Sequence, residues 1–175
     1  MLFSCFVDAP LREVANPNFP ENPAKSPWYF LGIQELVSYS AFSGGILLPL
    51  LVLIFLIRIP YSDKESEYQG IWFSGRKGKK ITLQSLLFSL CSTMLILALS
   101  LSSDCYRHLP QFITIMINPG TITALAYLLW TKYVYSKTNS KRMASIALFT
   151  CIILGYMLFM IIGIWFRGAN WKLFG

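Results

Sequence analysis

Four stretches of this chain are too long and too apolar to be covered by water: roughly residues 41–59, 81–103, 112–130 and 145–166. Each comes close to the roughly 20 residues a helix needs to cross a bilayer core. The only charge inside them is Arg58, beside the end of the first. Hydrocarbon offers backbone groups no partners, so the four runs are predicted to be helices. Composition agrees, with 55% hydrophobic and only 13% charged residues, against about 25% charged in a typical soluble domain. The expected fold class is all-α: a polytopic transmembrane protein of about four spans, in which residues 41–175 form the helical domain and residues 1–40 an extended outer arm.

The formal net charge of +7 would suit a nucleic-acid binder, but the basic residues sit in the gaps between the apolar runs. That pattern argues for membrane topology and no nucleic-acid partner. The connection after the first run holds Arg58, Lys64, Arg76, Lys77, Lys79 and Lys80, and the one after the third holds Lys132, Lys137, Lys141 and Arg142. The remaining segments hold only Arg12, Lys25, Arg107, Arg167 and Lys172. The positive-inside rule puts the first group in the cytoplasm and both termini outside. Trp28, Trp72, Trp130, Trp165 and Trp171 lie near run ends, as interfacial rings do.

Of the four cysteines, Cys91 and Cys151 fall inside apolar runs and read as small buried hydrophobes. Cys5 and Cys105 fall on the outer side. No metal-site spacing occurs, and Met1–Pro10 lacks the features of a cleavable signal peptide. Ser85, Ser89 and Ser92 share a helical face, expected to be a packing face because small residues let helices approach closely in lipid. Asn118-Pro119-Gly120 predicts a kink in the third run. Residues 61–80 read as a polar loop, whose Gly75-Arg76-Lys77-Gly78-Lys79-Lys80 resembles a phosphate-binding loop in composition alone.

Ahead of the first span the chain changes character. Five prolines fall between Pro10 and Pro27, which precludes a long helix there. Trp28 to Leu36 can then begin a short interfacial helix carrying an apolar patch of Tyr29, Phe30 and Ile33. Glu35 follows with no basic residue within seven positions on either side. An acid in such a setting is a candidate for proton exchange; a solvated surface glutamate is the alternative.

Residues 8–36, ending Asn-Pro-Ala-Lys-Ser-Pro-Trp-Tyr-Phe-Leu-Gly-Ile-Gln-Glu-Leu, resemble the outer quinol-site loop of bacterial cytochrome b, from the cytochrome bc-type quinol–cytochrome c oxidoreductases. The family's usual signature is Pro-Glu-Trp-Tyr, and a bacterial variant reads Lys-Ala-Pro-Trp-Tyr-Phe-Leu-Gly-Leu-Gln-Glu. Ile59-Pro60-Tyr61 with Gly70-Ile71-Trp72-Phe73, and the tail Phe166-Arg167-Gly168-Ala169-Asn170-Trp171, are similar to later parts of the same subgroup. The resemblance covers most of the chain and is weak within the helices.

The family's b haems need paired histidines, whereas this chain has only His108. The resemblance therefore implies the C-terminal part of cytochrome b as a separate subunit, similar in role to subunit IV of the photosynthetic complex. It implies quinol at a shared site lined by Pro27, Trp28, Tyr29, Phe30 and Ile33. Haem b would belong to an N-terminal cytochrome b partner and the iron–sulfur cluster to a Rieske protein, with cytochrome c as a further partner. The location implied is the inner (cytoplasmic) membrane, with termini in the periplasm. Aligning Trp28-Tyr29 puts Pro27 where the family has its acid, so the motif glutamate is absent. Glu35 is the residue expected to replace it as catalytic proton acceptor.

Overall fold

The computed structural model describes residues 18, 24–62, 72–102, 113, 115 and 117–171. Every regular element among them is helical. A 3-10 turn at Trp28–Phe30 leads into helix α1, Leu31–Tyr39. Ser40 is extended, and a π turn at Ser43–Leu47 then runs into α2, Leu48–Ser62. Helix α3 is Gly75–Ser102, α4 is Pro119–Thr138 and α5 is Lys141–Trp165. The protein is a helical membrane protein: Ser43–Ser62, Gly75–Ser100 and Lys141–Trp165 are each long and apolar enough to cross a bilayer.

Two expectations change here. The basic stretch Gly75–Lys80 is not loop but the opening turns of α3. Helix 3 therefore starts before its apolar run, because an intrahelical bond ladder tolerates lysines wherever their heads can reach water. The kink expected in the third run is a full break: residues 113, 115 and 117 are helical, and the helix stops at Asn118 before restarting. Asn118 is extended, and its side chain accepts a hydrogen bond from the Thr121 amide at 3.0 Å. Pro119 follows at the first helical position, where its missing N–H costs nothing. The Asn-Pro-Gly sequence thus caps the start of α4, which continues through Lys132 to Thr138. With two lysines inside it, α4 is not among the three strongly apolar helices.

Helices α3, α4 and α5 pack around a polar seam. Ile81, Ser85, Ser89, Thr93 and Leu97 are all buried at four-residue spacing on α3. The expected serine face is therefore a packing face, with Thr93 in place of Ser92. The Tyr127 hydroxyl of α4 lies 2.7 Å from Ser89 Oγ and 2.6 Å from Thr93 Oγ1. Trp130 Nε1 donates to Ser85 Oγ at 2.9 Å, and its ring stacks on Phe88 at 4.4 Å. Gly155 of α5 faces Tyr127 so closely that an added Cβ would fall 2.9 Å from Tyr127 Cε2. Buried Cys151 closes the seam, donating to the Ser85 carbonyl at 3.6 Å. Cys91, by contrast, is exposed; it lies on the face of α3 away from the bundle, so its burial by protein does not hold. Cys5, Cys105 and His108 lie outside the described residues.

These contacts sort the helix ends. Ile81, Val134, Met143 and Ala147 cluster where α3 begins, α4 ends and α5 begins. At the opposite end, Asn118 Nδ2 donates to Ser43 Oγ at 2.9 Å, joining the starts of α4 and α2. Helix α1 covers that same end.

Because lipid supplies no hydrophobic drive between helices, hydroxyl pairs and close packing must hold the seam. Tyr127→Phe should destabilise the protein by about 1 kcal/mol. Gly155→Val should cost more, since it drives a branched side chain into the Tyr127 ring. Reversible unfolding in bicelles would measure both.

Candidate functional site

The site expected around Glu35 begins with a folded approach to α1. Ser26 donates its amide to Gln34 Oε1 at 2.8 Å, and Gln34 Nε2 donates to the Ala24 carbonyl at 2.9 Å. Gln34 thereby fastens the extended Ala24–Pro27 segment to α1. The Pro27 carbonyl accepts from the Phe30 amide at 2.8 Å and closes the 3-10 turn. Lys25 Nζ donates to the Ile164 carbonyl of α5 at 2.8 Å, and the Tyr156 hydroxyl donates to the Tyr29 carbonyl. Leu31 is buried against Gly163.

The short helix expected from Trp28 onward is thus present, docked on the end of α5. Trp28, Tyr29 and Phe30 are exposed, at 67%, 52% and 51%, and form a continuous ring cluster. Trp28 meets Tyr29 edge-on at 5.6 Å, and Tyr29 lies 5.0 Å from Phe30. Ile33 is half-buried and Pro27 exposed. Glu35 faces the other way and is fully buried. The rings and the carboxylate therefore occupy different sides of one turn-and-helix unit.

Neither sequence reading of Glu35 describes its surroundings. It is not solvated, and it does not lack a base. Arg167, just past the end of α5, donates through Nε to Glu35 Oε2 at 2.9 Å and Oε1 at 3.1 Å. Its Nη2 forms the ion pair with Oε1. The Tyr39 hydroxyl donates to Oε1 at 2.8 Å, and Trp171 Nε1 donates to Oε2 at 3.0 Å. Arg167 Nη1 also donates to the Trp171 carbonyl at 2.7 Å, tying the two donors together. Trp171 and its neighbour Asn170 adopt left-handed backbone, with φ of 57° and 55°. Bulky residues avoid that region, so the tail is held against local preference in a turn that aims the indole at Glu35.

Electrostatics follow from this crowding. Burial, then the Glu35 charge, push the Tyr39 phenol well above its ordinary range. Burial works against the Arg167 charge, but its bonds to Glu35 outweigh that and raise its pKa. The arrangement can hold a negative charge at a fixed place at this end of the bundle.

Sequence reasoning missed Tyr39, Arg167 and Trp171 as partners of Glu35. A signal existed: an acid among apolar residues calls for a compensating cation, and Arg167 belongs to the tail stretch that carries the family resemblance. Among the described residues, no three His, Cys, Asp or Glu side chains come together as a metal group. Compared with protein-family models, curated proteins and solved structures, the chain matches none.

Two outcomes are expected. Arg167→Gln leaves Glu35 buried and uncompensated and should cost roughly 3–5 kcal/mol, with Glu35→Gln/Arg167→Gln costing less than the sum of the single changes; a double-mutant cycle reads the difference. The raised Tyr39 pKa means that its protonated form stabilises the fold below the ordinary phenol value of about 10. That contribution is lost as pH rises beyond it. Tyr39→Phe should therefore flatten the alkaline loss of stability in a pH series of unfolding midpoints.

Proposed function

We propose that this chain is the non-haem-ligating membrane subunit of a cytochrome bc-type quinol:cytochrome c oxidoreductase, and that its turn-and-helix unit walls part of a quinol-oxidation pocket on the outer side. One observation carries the reading. The two stretches that most resemble that family, around Trp28–Leu36 and Phe166–Trp171, are far apart in sequence yet meet through Glu35, Arg167 and Trp171. Four spans with both termini outside would then put this end of the bundle at the periplasmic face of the inner membrane.

In this reading the exposed rings of Trp28, Tyr29 and Phe30 offer a quinol ring an apolar, aromatic wall. Oxidation of the quinol would release two electrons and two protons: one electron to a Rieske iron–sulfur protein and on to cytochrome c, the other to haem b on a partner cytochrome b. Glu35, in place of the motif acid whose position Pro27 fills, would take one proton, and the outer aqueous phase the other.

The four donors around Glu35 favour a second reading. A carboxylate so fully satisfied is also what a purely structural clamp requires, in a non-catalytic subunit of a respiratory or photosynthetic complex.

Glu35→Gln in the assembled complex discriminates between the two. The redox reading expects normal haem b content with quinol oxidation slowed by about 100-fold, the scale of losing a proton acceptor, and with an altered pH profile. The structural reading expects lost assembly, restored in part together with activity by the double change Glu35→Gln/Arg167→Gln. Unchanged turnover and pH dependence in Glu35→Gln, or a native complex that lacks a Rieske protein, would remove the redox proposal.

A further inference from the structure

Helix α2 stands apart from the bundle: none of Leu48–Ser62 is buried. Its C-terminal half leaves a cleft of about 300 Å³ against α4 and α5. Leu51 and Ile54 of α2, Leu128 of α4 and Leu148 of α5 give it an apolar wall, while Arg58 and Ser145 supply polar groups. Among the described residues, no carboxylate lines it.

The positions along each helix separate these groups. Arg58 lies four residues before the end of α2, and Ser145 four after the start of α5. Both therefore sit toward the basic end of the bundle. Leu51 lies seven residues deeper, or about 10 Å along the helix axis. The cleft is thus amphipathic along the membrane normal, with a cation at its shallow end and hydrocarbon below.

We infer that this cleft binds an anionic phospholipid, with Arg58 and Ser145 on the phosphodiester and an acyl chain along Leu51, Ile54, Leu128 and Leu148. Charge complementarity selects the headgroup: the Arg58 guanidinium at the shallow end favours an anion, and Arg binds phosphate through paired donors. The apolar floor selects a lipid over a free phosphate, which would leave that surface uncovered. Basic pockets between membrane helices take anionic headgroups in just this way. The site is at the opposite end from Glu35, so it stands or falls separately from the quinol reading.

The full chain, purified in mild detergent, is titrated with phosphatidylglycerol and with phosphatidylcholine of matched acyl chains, and bound lipid is counted by native mass spectrometry. Phosphatidylglycerol should be retained about fivefold more strongly, the worth of one basic contact. Arg58→Gln should bring the two lipids to parity, while Arg58→Lys keeps most of the preference. Leu148→Trp, which fills the groove, should lower retention of phosphatidylglycerol with the charge intact. Equal retention of the two lipids by the wild type overturns the proposal, and so does an undiminished preference in Arg58→Gln. Displacement of phosphatidylglycerol by inorganic phosphate would overturn it in favour of a free-anion site. The wild-type comparison decides even where a variant fails to fold.

Discussion

Taking a carboxylate and a guanidinium out of water costs several kcal/mol for each ion, and only good geometry with further hydrogen bonds recovers it. Glu35 and Arg167 meet that condition through the guanidinium contacts together with Tyr39 and Trp171. Their pairing fixes the fold at one end of the bundle. It binds the segment before the first span to the segment after the last, and the left-handed turn at Asn170 and Trp171 persists because of it. Lys25 on the Ile164 carbonyl and Tyr156 on the Tyr29 carbonyl reinforce the same junction. Without the ion pair, those bonds alone would have to hold α1 against the end of α5.

The middle of the bundle relies on a different device. Tyr127 bridges Ser89 and Thr93, and Gly155 gives its ring room. Interhelical bonds of this kind are individually modest. Their value lies in direction: a hydroxyl seam has one register, whereas leucine faces slide. The seam thus positions the ends of α4 and α5, and through α5 the position of Arg167.

Much of the architecture was legible from composition and spacing. Long apolar runs announced membrane helices, and the serines of α3 announced a packing face. The short helix after Trp28 followed from where the prolines stop. What escaped had physical causes. Asn118-Pro119-Gly120 reads as a kink, and only the Asn118 bond to the Thr121 amide shows that it caps a new helix. Gly75–Lys80 looks like loop because glycine and lysine are common there, yet a helix accepts them once its next turns are anchored. Cys91 and Cys151 have the same apolar surroundings in sequence; only helix rotation separates lipid-facing from core. Glu35 appeared to lack a base because its partner lies 132 residues away, a separation no local pattern spans.

The clamp also bears on how a proton acceptor would work at this position. A carboxylate on the surface can change partners at little structural cost. Glu35 cannot, because it holds Arg167, and through Arg167 the Trp171 turn. Losing the Glu35–Arg167 contact and loosening the tail are therefore one event rather than two. In the quinol-oxidation reading, that linkage is a catch that the proposed proton acceptance has to open. In the structural reading the same linkage works only as a lock. The chemistry of the two readings thus diverges at one atom: whether Glu35 Oε1 ever exchanges its guanidinium contact for a proton.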